Sequence, residues 1–141
     1  MTLRQILIAY PATALVFLGL DAIWLTTMAD RLYRPSLGKL MLERFEPLPA
    51  VAFYAVYLVG VIVFAVAPGL EARRWTIALG LGALLGLVAY ATYDLTNQAT
   101  LRDWPWRVTL ADLCWGTFVT GVAAALGCRV TAWLSGLVSG S

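Results

Sequence analysis

The sequence predicts an all-α integral membrane protein, a four-helix bundle in a single transmembrane domain over residues 1–141. Three observations carry that prediction. Of 141 residues, 61% are apolar and 13% are charged, more apolar surface than a soluble domain of this length can hide from water. Four stretches reach the roughly 20 apolar residues that a bilayer core of about 30 Å requires. Proline, glycine and tryptophan punctuate their ends. Backbone groups in lipid must bond within their own segment, so each stretch is expected to be helical.

The first stretch, 5–29, carries one charge, Asp21. Its apolar run is too long for a cleavable signal peptide, and no small-residue cleavage site precedes Asp30-Arg31, so it is expected to stay as a span. In the loop that follows, Ser36 is placed to cap a short helix with Leu37, Leu40, Met41, Phe45 and Leu48 on one face. That spacing suits a short interfacial helix at the headgroup level; a loop folded over the bundle is the alternative. The second stretch, 48–70, carries no charge. Pro47 and Pro49 open it and Pro68-Gly69 closes it.

Arg73 and Arg74 precede Trp75, an interfacial anchor for the third stretch, 75–99, whose one charge is Asp94. Gly80, Gly82, Ala83 and Gly86 give this span a small face, and Gly82-x-x-x-Gly86 has the spacing of close helix approach. The face serves either the bundle itself or an interface, so a homo-oligomer or larger membrane complex through Gly80, Gly82 and Gly86 is an open expectation. Asp103, two residues before Pro105, reads as the start of the fourth helix, 108–128, which carries Asp112. Trp104 and Trp106 belong to the aromatic belt. The tail after Arg129 either extends this helix or lies on the surface.

Composition removes several chemistries. There is no His and no CxxC, hence no zinc spacing, haem attachment or histidine ligand. Cys114 and Cys128 lie 14 residues apart on one expected helix, about 21 Å, too far to bridge. Both read as buried thiols packing as small apolar groups. The one lysine, Lys39, sits in a polar loop, which excludes a Schiff base within the membrane. A scattered net charge of +2 gives no nucleic-acid partner. Basic residues divide six to five across the two sides, counting the terminal amine, which sets no orientation. Four spans place both termini on one side. No cofactor follows from the sequence, and a metal is left open.

The charges inside the spans carry the functional signal: three aspartates and no base. Intramembrane ionisable groups are costly, roughly 2.5–3.5 kcal/mol on insertion scales, and mark functional sites by default. Measured from the side of the long loop, Asp21 and Asp112 each lie about 10 Å deep and Asp94 about 5–8 Å. All three therefore occupy one leaflet and converge if they face inward. Tyr90, Asp94 and Asn97 share a helical face, with Tyr93 beside it. Asp21-x-x-Trp24 and Asp112-x-x-Trp115 run in opposite directions on antiparallel helices and place indoles above and below the carboxylates. Arg31 and Arg34 are near enough to reach over the mouth.

The segments Asp21-Ala-Ile-Trp24-Leu25, Tyr90-Ala-Thr-Tyr93-Asp94-Leu95-Thr96-Asn97, Ala99-Thr100-Leu101 with Trp104-Pro105, and Asp112-x-x-Trp115-Gly116 resemble the bacterial membrane family called domain of unknown function 2177. Phe53-Tyr54, Tyr57 and Pro68 also fit it. The resemblance covers about residues 3–128. It implies a bacterial inner-membrane protein of four helices with no assigned activity, and supplies no catalytic residue.

Three carboxylates with no cation beside them cannot all be ionised and dry. The leading reading is acid–base chemistry on, or binding of, a lipid-like or other apolar substrate from the membrane. Asp21, Asp94, Asp112 and Tyr90 are its candidate catalytic residues. Trp24, Tyr93, Asn97, Trp115, Arg31 and Arg34 are its candidate substrate contacts. The alternatives are a proton- or cation-coupled transporter or sensor working as an oligomer, and an accessory subunit of a larger membrane complex.

Overall fold

The computed structural model describes residues 1–136. Among them it is helical without a strand, and four helices are long and apolar enough to cross a membrane: α1, Leu3–Leu37; α2, Pro47–Glu71; α3, Trp75–Thr100; and α4, Trp106–Leu134. The four-span bundle read from the sequence is borne out. The chain is an integral membrane protein on these lengths and compositions.

A capping box starts α1. The Thr2 hydroxyl accepts from the Gln5 amide at 3.2 Å, and the Gln5 side chain accepts from the Thr2 amide at 2.7 Å. The helix does not stop near Asp30. A π-helical turn over Ala29–Tyr33 carries it into a last turn, Arg34–Leu37. A second π-turn, Ile62–Val66, interrupts α2. Each wide turn lies just ahead of a proline, Pro35 or Pro68. A proline lacks the N–H for the ladder and its ring crowds the carbonyl four residues back, and a wide turn relieves that crowding.

The predicted interfacial helix after Ser36 does not form. Residues 38–46 are turn and bend, with Leu40, Met41, Leu42 and Phe45 exposed, so the segment does not fold over the bundle either. Ser36 lies inside the last turn of α1. At the other connection, Asp103 does not cap α4. It adopts a left-handed φ of 62° that reverses the chain, and Pro105 precedes the helix. The tail after Arg129 extends α4 to Leu134, and its last residues, 137–141, lie outside the described residues.

The central helix is α4. More than half of its apolar stretch is buried, against under a third in each of the other three. It packs along both α1 and α3. Small residues make the α3–α4 approach close. A Cβ at Gly82 would stand 2.7 Å from the Ala124 Cβ and 2.9 Å from the Thr120 carbonyl oxygen, and one at Gly86 would strike the Gly116 carbonyl. Gly82 and Gly86 thus serve the bundle itself, and Gly80 alone faces outward with open space beside it. An interface between chains has only Gly80 left of that stripe.

On the side of the termini, Ala9, Val61, Ala65, Val66, Ala78 and Ala124 pack into an apolar layer. Above it Phe17, Leu58, Val119 and Ala123 fill the middle. Cys128 packs in the lower layer, as expected of it. Cys114 does not: it is exposed on α4, because that helix buries the sides bearing Asp112 and Gly116 instead. The loop-side half of α2 departs from this tight packing. Pro47–Val61 touches α1 but makes no extensive contact with α3, whereas the Ile62–Val66 turn packs on α3 and α4. A gap therefore opens between α2 and α3 in the loop-side leaflet.

Candidate functional site

In that leaflet lies a cavity of about 350 Å³ lined from all four helices. Asp21 comes from α1, Asp94 from α3 and Asp112 from α4. Their exposures are 6%, 0% and 8%. The common depth read from the sequence therefore places them around one space. They do not close to a single point. Among the described residues no three His, Cys, Asp or Glu side chains come near enough to hold one metal ion.

The wall is aromatic. Trp24 and Trp115 stack on each other, centroids 4.5 Å apart and planes within 7°. They are thus at one level, not above and below the acids. Antiparallel α1 and α4 bring the two Asp-x-x-Trp segments side by side, and stacking removes both ring faces from polar surroundings. Each indole serves the other helix's acid. Trp115 Nε1 donates to Asp21 Oδ1 at 2.9 Å. Trp24 Nε1 donates to the Tyr33 hydroxyl at 2.8 Å, and Tyr33 donates to Asp112 Oδ1 at 2.5 Å. Tyr54 of α2 donates to the second oxygen of Asp21 at 2.5 Å.

These bonds separate the three acids. Both oxygens of Asp21 are held, and it ties α1, α2 and α4 together. Asp112 is held at one oxygen. Asp94, wholly buried, has no hydrogen-bond partner on either oxygen among the described residues. Buried polar atoms are seldom left unpaired, and a protonated Asp94 would be as lonely as an ionised one. Tyr90 lies one turn deeper on α3 and also lines the cavity. Its ring rests on Gly116, where a Cβ would collide with it. Its hydroxyl makes no side-chain hydrogen bond among the described residues.

Tyr93 sits at the rim, 61% exposed, edge-on to Trp104 with centroids 5.8 Å apart. Phe53, 48% exposed, faces it from α2. These two rings, one from α2 and one from α3, line the cavity where it is exposed. The α3–α4 turn beside it is locked by a polar triangle. Trp104 Nε1 donates to Thr109 Oγ1 at 3.1 Å, Thr109 donates to Gln98 Oε1 at 3.0 Å, and Gln98 Nε2 donates to the Trp104 carbonyl at 2.8 Å.

Three sequence candidates stand apart from the cavity. Asn97 is half-buried one turn beyond Asp94, and the cavity does not extend to it. Arg34 pairs with Asp30 at 2.9 Å, four residues away on the exposed face of α1. Arg31 is exposed and does not line the cavity. The π-turn is the physical reason, since it turns Tyr33 toward the acids in place of the arginines. Conversely, Tyr33 and Tyr54 are the donors that sequence reasoning missed. An uncharged phenol gives no signal in a hydropathy profile; the only hint lay in a Tyr between Asp30 and Pro35 and in the Phe53-Tyr54 pair.

No curated protein and no solved structure matches this chain. Residues 6–129 match the family described as predicted membrane protein, domain of unknown function 2177. With the four spans and nearly the whole length covered, the chain belongs to that family.

Proposed function

We propose that this is a bacterial inner-membrane protein that takes a lipid-like substrate sideways from one leaflet and performs acid–base chemistry on its polar end. The observation that carries the reading is a carboxyl group, Asp94, buried without a partner beside two other acids in an aromatic cavity. Binding and chemistry need a polar group that is not already satisfied, and among the described residues Asp94 is the acid of the cavity with neither oxygen held. Asp112, with one oxygen held by Tyr33, is the second acid–base group. Tyr90, one turn deeper in the same wall, is assigned the proton relay. Asp21, held at both oxygens, is a positioning residue. Trp24 and Trp115 supply the apolar wall, and Tyr93 and Phe53 the entrance.

The buried apolar layers on the other side favour binding and chemistry within one leaflet over a conduit. Native mass spectrometry of the protein released from its membrane tests the reading. A lipid-like molecule bound once per chain is expected, and it is lost in Ala89→Phe, whose ring fills the cavity that Ala89 lines. Equal retention in both proteins would overturn the reading. So would a second polypeptide in place of a small molecule, which favours an accessory subunit.

A further inference from the structure

The lining of the cavity has a charge and hydrogen-bond deficit that selects among ligands. It holds three carboxyl groups and no Lys or Arg. Three donors in the wall reach these acids, the Tyr33 and Tyr54 hydroxyls and the Trp115 indole N–H, and all three are taken by Asp21 and Asp112. Both Asp94 oxygens still lack a donor. An anionic ligand would meet three acids. An alcohol brings one hydrogen for two oxygens and no charge. A quaternary ammonium brings charge but no N–H. A primary ammonium brings both, with three N–H donors.

The walls suit the same group. Aromatic faces attract cations, and the cavity that Asp94 lines is also lined by the rings of Tyr90, Tyr93, Phe53 and Tyr54. Its volume of about 350 Å³ lies at the small end of the roughly 300–1,000 Å³ usual for ligand pockets, so it takes a headgroup-sized amine and not a whole two-chain lipid. Asp94 lies six residues from the end of α3, about 9 Å below it, at the depth an amine on an inserted chain reaches.

We propose that the cavity binds a primary alkylammonium group, its N–H donors on Asp94 and its methylene stem against the aromatic walls. The proposal rests on the substrate cavity argued above. Its source is either the amine of a lipid headgroup or a free single-chain amine.

The test uses the full chain in phosphatidylcholine nanodiscs, titrated with decylamine and with decanol and read by native mass spectrometry. Wild type is expected to bind decylamine at least about tenfold more tightly than decanol. Asp94→Asn loses that preference, and Asp94→Glu, which keeps the charge, retains it. Ala89→Phe loses both probes. Adding phosphatidylethanolamine distinguishes the sources: it displaces decylamine where a headgroup is the natural ligand and leaves it bound where a free amine is. Equal binding of alcohol and amine by wild type would overturn the ammonium assignment while leaving the cavity intact, as would an amine preference that survives in Asp94→Asn. Binding of both probes unchanged in Ala89→Phe would overturn the cavity itself. If Asp94→Asn fails to fold, the comparison of amine with alcohol on wild type decides.

Discussion

Replacing Gly82 by alanine tests how the site is built. The new Cβ would lie 2.7 Å from the Ala124 Cβ, 2.9 Å from the Thr120 carbonyl oxygen and 3.2 Å from the Gly121 Cα. Two of these atoms are backbone and the third is a Cβ fixed to it, so no flexible side chain can move aside. Carbon atoms rest about 3.5–4.0 Å apart. Helices α3 and α4 must therefore separate by about 1 Å. Overpacking of this kind costs about 1–3 kcal/mol. Gly80→Ala is the control. It has nothing within 4 Å and gains helix propensity of up to about 1 kcal/mol. Equilibrium unfolding in mixed micelles, followed by tryptophan fluorescence, should rank Gly80→Ala at or above wild type and Gly82→Ala below it. Because α3 carries Asp94 and α4 carries Asp112, Gly82→Ala should also weaken ligand retention. Equal stabilities for the two variants would refute the account of the α3–α4 contact.

Three further outcomes are expected. Asp94→Asn breaks no hydrogen bond in the protein and should change unfolding free energy by less than about 1 kcal/mol. Asp21→Ala orphans the part-buried Tyr54 and Trp115 donors and should cost about 1–3 kcal/mol in all. Unfolding measurements that reverse this order would contradict the division of roles. Tyr90→Phe should reduce ligand retention less than Asp94→Asn, read by native mass spectrometry, if Tyr90 only relays or orients; equal losses would place it in direct contact with the ligand. Cys114→Phe, at an exposed position of α4, should leave stability within about 0.5 kcal/mol of wild type, whereas Cys128→Phe, at a buried one, should lower it by about 1–3 kcal/mol, and equal losses in unfolding measurements would contradict the packing of α4.

Much of the architecture was legible because lipid imposes a simple rule. Long apolar runs are helices, and an acid inside one has a computable depth. Asp21, Asp94 and Asp112 could therefore be placed in one leaflet from residue counts alone. What the pattern could not supply was helical phase across an irregular turn. The π-turn at Ala29–Tyr33 advances α1 past its expected end, bringing Tyr33 to Asp112 while Arg34 pairs with Asp30 outside. Partner choice across helices was equally hidden. Trp115 reads as a neighbour of Asp112 in sequence, yet it donates to Asp21. The Gly82–Gly86 spacing announced a close contact without saying with what, and only the fold assigns it to α4.

The account depends most on Asp21, Asp94 and Asp112 sharing one cavity. Dicyclohexylcarbodiimide, an apolar reagent for carboxyl groups within membranes, measures this by stoichiometry. A space of about 350 Å³ has room for one bulky adduct, so mass spectrometry should find a single modified residue per chain among the three acids, and decylamine should slow its formation. Chains carrying two or three adducts on these residues would mean that the carboxyl groups face separate surroundings, and would contradict the account.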